Sequence, residues 1–343
     1  MRSAEPQLTI ACTDVTGALS GDATRIRVTS ELHGRADDIS VRLADPDRRF
    51  LGRWRPEPGQ RMEIGTQLTD WRAPGDTRSV TWGTYQIDEL THQGPPTEVD
   101  ISAQSAFIDR SMRNTRKTRG WENVALSTIA KDLADENGFA LAYEAGIDPS
   151  FDRKEQRDES DLRFLRKELE RWFLHLSAKK ERMGVISDRE LTALEDPIYR
   201  SASAEGADPM LSCNRWRVTP RYWELARRAE VRYDQPVENQ VVKAEVTDQA
   251  APESGETLTV NEKMRDTSQA ELRAARRLSR NNRREIEAQA TVPGRPSLRP
   301  GFTVPLQGFQ DFDGEYVITA AEHRFAGKYT TRVQLRKTRN RLL

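Results

Sequence analysis

Cysteine is almost missing from these 343 residues: Cys12 and Cys213 stand far apart, with no C-x-x-C pair and no histidine at ligand spacing. Neither a disulfide framework nor a structural zinc site can be built from them, and both read as small apolar side chains. Histidine is equally scarce. His33, His92, His175 and His323 are scattered, so no metal-binding residues are assigned. Long hydrophobic runs are missing too. Nothing approaches the roughly 18 to 20 apolar residues of a membrane helix, and the opening MRSAEPQLTI has no apolar h-region of a secretory signal. A soluble chain made in a cytoplasm, without membrane insertion, is expected. Net charge is also absent, 54 Lys+Arg balancing 54 Asp+Glu, whereas a nucleic-acid binder shows a basic excess.

Apolar residues make up 36% of the chain and aromatics 7%, against a usual apolar share of about 45% or more. That deficit, with a mean hydropathy of −0.78, fits thin or partner-covered domains better than one thick core. The length itself predicts two or three domains. The zero charge hides a division: residues 1–106 carry 12 basic and 16 acidic side chains, and residues 201–343 carry 24 and 19.

Period-two alternation dominates the first hundred residues. Leu8, Ile10 and Cys12, then Ile26 and Val28, Ile39, Val41 and Leu43, Met62 and Ile64, and Val99, Ile101 and Ala103 each alternate with polar neighbours. Gly34, Pro46, Pro74-Gly75 and Gly94-Pro95-Pro96 punctuate them, as in a small antiparallel barrel or sandwich. From residue 107 the period lengthens. Trp121, Val124, Ala125, Ile129, Leu133 and Ala134 fall on one helical face ending at Gly138, and the spacing predicts about four turns. A second helix follows on Leu162, Leu165, Leu169, Trp172 and Leu176, with Asp158, Ser160 or Asp161 as its N-cap. The last third returns to strands, interrupted by a helix with Ala270, Ala274 and Leu278 at four-residue spacing. The expected fold is α+β and mainly β. Two antiparallel β-barrel domains, 1–106 and 206–343, flank a mixed α/β middle domain, 107–205, and the second barrel carries a helical insertion at about 262–288.

Chemistry is hard to find. There is no G-x-S-x-G, G-x-G-x-x-G, Walker A or H-E-x-x-H pattern. The carboxylate neighbours Asp37-Asp38, Asp88-Glu89 and Asp158-Glu159 are what chance provides among 54 acids. No catalytic and no cofactor-binding residue is assigned, and no cofactor is expected. Arg273, Arg276, Arg277, Arg280, Arg283 and Arg284 spread around a helix interleaved with glutamates, which fits a solvated or protein-facing surface. Contact with DNA there would be with phosphates alone.

Three blocks carry a resemblance. Gln156, Glu159-Ser160-Asp161 and Phe164-Leu165 resemble a segment of the phage late control gene D family. The arginine-rich approach to Trp121 with its helix ending at Gly138-Phe139 is similar to the block before it. Gly294, Pro296, Leu298, Gly301, Gly308, Gly314, Val317, His323, Tyr329 and Thr330 resemble the family's C-terminal block. Trp172-Phe173-Leu174 departs from the family pattern, which has a glycine-containing helix end there.

The resemblance implies a structural baseplate hub of a contractile tail, in a phage or an R-type-bacteriocin-like particle, with two tail-tube-like domains per chain. It implies a homotrimer that adapts a six-fold tail tube to a three-fold central spike. Its partners would be the spike, the tail tube or distal tube protein, the tape-measure protein and other baseplate proteins, with DNA in transient passage. The middle unit would face the rim and spike. Two other readings stay open: a hub that also cuts peptidoglycan through carboxylates of the middle unit, and a generic α+β binding module outside phage biology.

Overall fold

The computed structural model describes residues 3–338 apart from 11–12, 15–22, 33–36, 53, 58, 72–73, 106–109, 180–181, 188–190, 201–211, 236–239 and 265. Cys12, His33, Gly34 and the expected boundaries near 106 and 205 lie outside the described residues. The first seven strands are β1 (Ser3–Ile10), β2 (Thr13–Asp14), β3 (Ala23–Glu31), β4 (Asp38–Ala44), β5 (Arg61–Thr69), β6 (Thr77–Gln93) and β7 (Glu98–Ser105). Next come α1 (Arg110–Asn114), β8 (Arg116–Ala125), α2 (Leu126–Glu136), β9 (Ala140–Glu144), β10 (Ser150–Ser160), α3 (Asp161–Arg171), β11 (His175–Lys179) and β12 (Arg182–Ile186). The remainder comprises β13 (Thr192–Ala193), β14 (Ile198–Tyr199), β15 (Arg215–Pro220), β16 (Arg228–Gln235), β17 (Gln240–Thr247), β18 (Thr257–Val260), α4 (Thr267–Asn282), β19 (Ile286–Pro293), β20 (Phe302–Gln307), β21 (Gly314–Ala326) and β22 (Lys328–Lys337).

The alternating residues of the first hundred do form strands, and they bury their apolar side. Leu8, Ile26, Val28, Ile39, Val41, Met62, Ile64, Val99 and Ile101 are buried together. Each such side chain contributes about 1.5 to 3 kcal/mol by leaving water. The expectation of two closed barrels is overturned. β3 pairs with β21 as well as β4, with Phe325 opposite Ile26 and His323 opposite Val28. The two ends of the chain thereby share one 14-stranded sheet, ordered β15-β19-β22-β21-β3-β4-β7-β6-β5-β1-β2, with β20, β13 and β14 attached through β21. Its terminal strands do not meet, so it is an open sheet. The fold is mixed α/β, with several sheets, none closed or strongly curled, and four helices among the described residues. The physical cause is that β3 spends its free edge on a distant strand of the chain. Phe325 and Tyr329 from the last hairpin complete the N-terminal core.

The middle of the chain has a core of its own, built on α2, α3 and two small sheets, β8 with β10 and β11-β12-β9. Here the sequence reading needs a correction. The first helix begins only at Leu126, because Trp121 and Val124 lie in β8, where they face Lys154 and Phe151 of β10. Three-residue spacing on a short stretch satisfied a helical period that the ladder overrode. The second helix ends at Arg171, with Trp172 as its C-cap, and Leu176 belongs to β11. Ser160 is the N-cap residue, but its side chain makes no cap hydrogen bond.

Both helices end in the same Schellman turn. Phe139 donates its N–H to Ala134 and Gly138 to Asp135; Leu174 donates to Leu169 and Phe173 to Glu170. Gly138 sits at φ 76° and Phe173 at φ 58°. The second turn thus places a phenylalanine in the left-handed conformation that glycine adopts freely. The predicted helix in the last third is α4, which buries Ala270, Ala274 and Leu278 against a sheet ordered β17-β16-β18. Its N-cap is Asp266, which accepts from the Gln269 N–H. This helix and sheet lie between β15 and β19, which pair directly with each other.

Candidate functional site

Two clusters gather the residues of the three sequence blocks. In the first, α3 starts with Asp161, whose side chain is fully buried. Lys117 and Arg119 project from the same side of β8, two residues apart, as period-two geometry requires. Lys117 Nζ lies 2.7 Å from Asp161 Oδ2, and the Arg119 guanidinium 2.7 Å from Oδ1. Gln156 Nε2 donates to Oδ1 at 2.9 Å and Asn137 Nδ2 to Oδ2 at 3.2 Å. The same Gln156 amide donates to the Glu159 carbonyl at 2.7 Å, while its oxygen accepts from Arg119 at 2.9 Å. Glu136, from the end of α2, shares both cations. Two cations thus face two carboxylates, and the N-terminal end of α3 adds a favourable dipole. Above this, Trp121 stacks on Phe164 at 5.4 Å with the Arg119 guanidinium over the indole.

Burial would push the Asp161 carboxyl up, but hydrogen bonds from Lys117, Gln156 and Asn137 outweigh it and hold the group below the usual carboxylate range. Glu136 is lowered by hydrogen bonds from Lys117 and Arg119. A carboxyl that donates a proton to a leaving group must be held protonated. These two are held ionised, which suits a clamp joining α2, α3 and β8 and does not suit general acid chemistry. Of the other carboxylate neighbours, Asp158 pairs with Arg116 at 2.9 Å and Asp88 accepts from Gln104 at 3.2 Å. Asp38 is raised, first by burial, with a Thr29 hydrogen bond opposing.

The second cluster is the seam where β21 meets β3. His323 is buried, packs against Trp82 at 4.2 Å with the rings tilted by 43°, and shares hydrogen bonds with the Tyr329 hydroxyl at 2.9 Å and Thr331 at 3.2 Å. Burial, reinforced by the charge of Arg299, pushes its pKa down to about 3. Tyr329 also stacks on Phe325 at 4.4 Å and packs against Gly294, whose carbonyl accepts from Trp71 at 3.1 Å. His175 is buried elsewhere, and His92 is half-buried in β6. The Cys213 thiol is half-buried, and burial pushes it up to about 12.

The arginines of α4 are brought only partly to the surface. Arg273 is buried, paired with Glu262 at 3.0 Å and donating to the Arg171 carbonyl; Arg280 pairs with Glu170 at 2.8 Å. They tie the helix to the middle of the chain, and Arg276 is buried as well. Sequence reasoning missed Lys117, Asn137, Trp71 and Trp82. The signal for Lys117 was present in the alternation Lys117, Arg119, Trp121; nothing local marked the tryptophans.

Each cluster ties separate elements of the fold together. The sequence profile of the phage tail baseplate hub (GPD) family matches residues 89–329, a span that contains the whole first cluster and His323, Phe325, Tyr329 and Gly294 of the second. The chain belongs to this family. A probable baseplate hub protein of Escherichia phage P2 is 29% identical over 168 residues, covering 46% of this chain and 38% of the relative. The match therefore spans well under half of that relative's length. A tail protein from Neisseria meningitidis has the same fold at TM-score 0.70 and 12% identity, covering 98% of this chain and 97% of its own. The 43 kDa tail protein of prophage MuSo2 from Shewanella oneidensis matches equally, at 0.70 and 15%, covering 97% and 98%. The hub family is one of structural tail components, and membership locates the chain in the tail of a virion or tail-like particle. The P2 relative is named as a hub protein, not as an enzyme.

Proposed function

We propose that the chain is the trimeric hub that joins a six-fold tail tube to a three-fold central spike. The observation that carries this reading is the fusion of two antiparallel strand sets, β3 to β7 and β19 to β22, into one sheet at the β3–β21 seam. Three copies of a chain holding two such sets offer six to the tube, while the trimer offers three-fold symmetry to the spike. The division into units 1–106, 107–205 and 206–343 is part of the same proposal, supported by the separate cores of the first and middle stretches. On this reading the partners are the spike, the tube or distal tube protein, the tape-measure protein and other baseplate proteins. DNA passes without being held.

Light scattering on purified chain, alone and with the spike protein, tests it. The expected particle has about three times the monomer's 39.1 kDa. A stable monomer that ignores spike and tube proteins would overturn the proposal.

A further inference from the structure

Residues 221–285 carry β16, β17, β18 and α4 and interrupt the large sheet between β15 and β19. Those two strands pair as far as Pro220 opposite Ile286, and the Arg221 N–H donates to the Glu285 carbonyl at 2.7 Å. The insertion therefore leaves and rejoins the sheet at one point. It also holds itself together: Ala229, Val231, Leu258, Ala270, Ala274 and Leu278 share a core to which the large sheet contributes no residue. The buried Asn282 at the end of α4 accepts from the Ala226 N–H at 2.8 Å and donates to the Asp248 carboxylate at 2.9 Å. These bonds stitch the helix to the chain on either side of the β16–β17 pair.

The insertion meets the middle of the chain across a cleft of about 270 Å³, with Phe151, Lys154 and Trp172 on one wall and Glu262, Met264 and Gln269 on the other. Long polar side chains span the junction. Lys263 pairs with Asp152 at 2.7 Å and Arg280 with Glu170 at 2.8 Å, while Gln269 donates to the Ser150 carbonyl and Arg273 to that of Arg171. Leu272 adds apolar contact with the middle core. The two bridging ion pairs are solvated, at 60% and 50% exposure in the first and 35% and 42% in the second, so each is weak and screened by salt. The buried ions beside the cleft are paired differently, each inside its own unit: Arg273 with Glu262, and Glu168 with Lys154 and Arg171. Parting the units strips neither of its partner, so the large cost of an orphaned buried charge does not arise.

We propose that residues 221–285 are a flap that swings as one body about the paired ends at Pro220 and Ile286, and that Lys263 and Arg280 latch it onto the middle unit. An interface this polar, with a cleft left in it, is the kind that lets domains move. Arg221 and Arg284 share Glu287 at the base, at 3.3 and 3.5 Å, and hold the hinge while the outer contacts part. Opening widens the cleft and uncovers Phe151 and Trp172. The inference goes beyond the hub assignment and does not depend on the trimer, since hinge, cleft and latch all lie in one chain.

The test uses the full chain with nitroxide labels attached through Ser254→Cys on the flap and Glu144→Cys in β9, both exposed positions; Cys12→Ser and Cys213→Ser remove the native thiols. Pulsed electron resonance reads the distance between the labels. One closed distance should dominate at low salt, and raised salt should add a longer one. The double variant K263E/R280E should raise the ratio of open to closed by about tenfold or more. Adding D152K/E170K to the same chain reverses the opposite charges and should restore the closed distance, which separates a parted latch from a misfolded flap. An unchanged distance in K263E/R280E, or in the parent at raised salt, would overturn the inference. So would a longer distance that D152K/E170K leaves in place, because unfolding of the insertion gives that result.

Discussion

Tyr329 packs against the bare backbone of Gly294 so closely that a β-carbon at 294 would stand 2.0 Å from its ring. The ring has nowhere to go, because Phe325 stacks on it, His323 bonds its hydroxyl, and its own backbone carbonyl accepts from the Gly294 N–H at 2.9 Å. Gly294→Ala should therefore cost about 3 kcal/mol or more, by forced displacement in a packed core. Gly120→Ala is the control: its β-carbon meets nothing nearer than 3.6 Å, and it should melt close to the parent. Thermal denaturation of the two variants measures the difference.

Asp161 is fully buried and pairs with two cations whose side chains are 28% and 27% exposed. Asp161→Asn leaves Lys117 and Arg119 facing Glu136 alone, and the expected loss is about 3 to 5 kcal/mol. Because the Asp161 carboxyl is lowered in the folded chain, its stabilisation is complete above the ordinary carboxylate range. It fades as pH falls through the lowered value. Denaturant midpoints for parent and variant should converge at strongly acidic pH. A gap that stayed constant to the lowest pH would show that packing, not charge, is lost.

His323 loses its contribution in the same direction, but through burial of a neutral ring and not through ion pairing. Its folded pKa of about 3 lies below the ordinary 6.5, so between those values the unfolded chain binds the extra proton. Stability from this group is whole above 6.5 and drains away as pH falls towards 3. His323→Gln, which cannot charge, should flatten that part of the stability curve while lowering its plateau through lost packing against Trp82. Equilibrium unfolding from pH 3 to 7 checks the slope.

Phe173 is a trade between backbone and core. A left-handed conformation costs a non-glycine residue about 1 to 2 kcal/mol, yet the ring is buried beneath the Arg336 guanidinium. Truncating a buried phenylalanine costs about 3 to 5 kcal/mol, so burial wins and Phe173→Gly should destabilise on balance. Phe173→Ala should be worse than Phe173→Gly, because it loses the ring and keeps the strain. Equal melting temperatures for the two variants would remove the backbone argument.

Much of the first core was legible before any coordinates. Leu8, Val41, Met62 and Ile101 announce their burial through period-two alternation, and Ala270, Ala274 and Leu278 do so at helical spacing. What could not be read is which strands meet across distance. Nothing local in Ala23–Glu31 says that its free edge is taken by Gly314–Ala326, and that single pairing turns two expected barrels into one open sheet. Trp121 failed for a different reason: over so few residues, strand and helix periods place it equally well, and only the ladder with Lys154 decides. Within the clamp, Gln156 and Asp161 were marked by family resemblance. Lys117 and Asn137 come from elements whose proximity the fold alone creates.

The β3–β21 pairing has a consequence for synthesis. A ribosome releases the strand Ala23–Glu31 long before Gly314–Ala326 exists, so the nascent chain carries an unpaired edge until that strand emerges. Phe325 and Tyr329, which finish the first core, arrive with the last hairpin of the sheet. A truncated product would therefore lack the seam and expose that edge to proteases and chaperones, which would keep incomplete chains out of particle assembly.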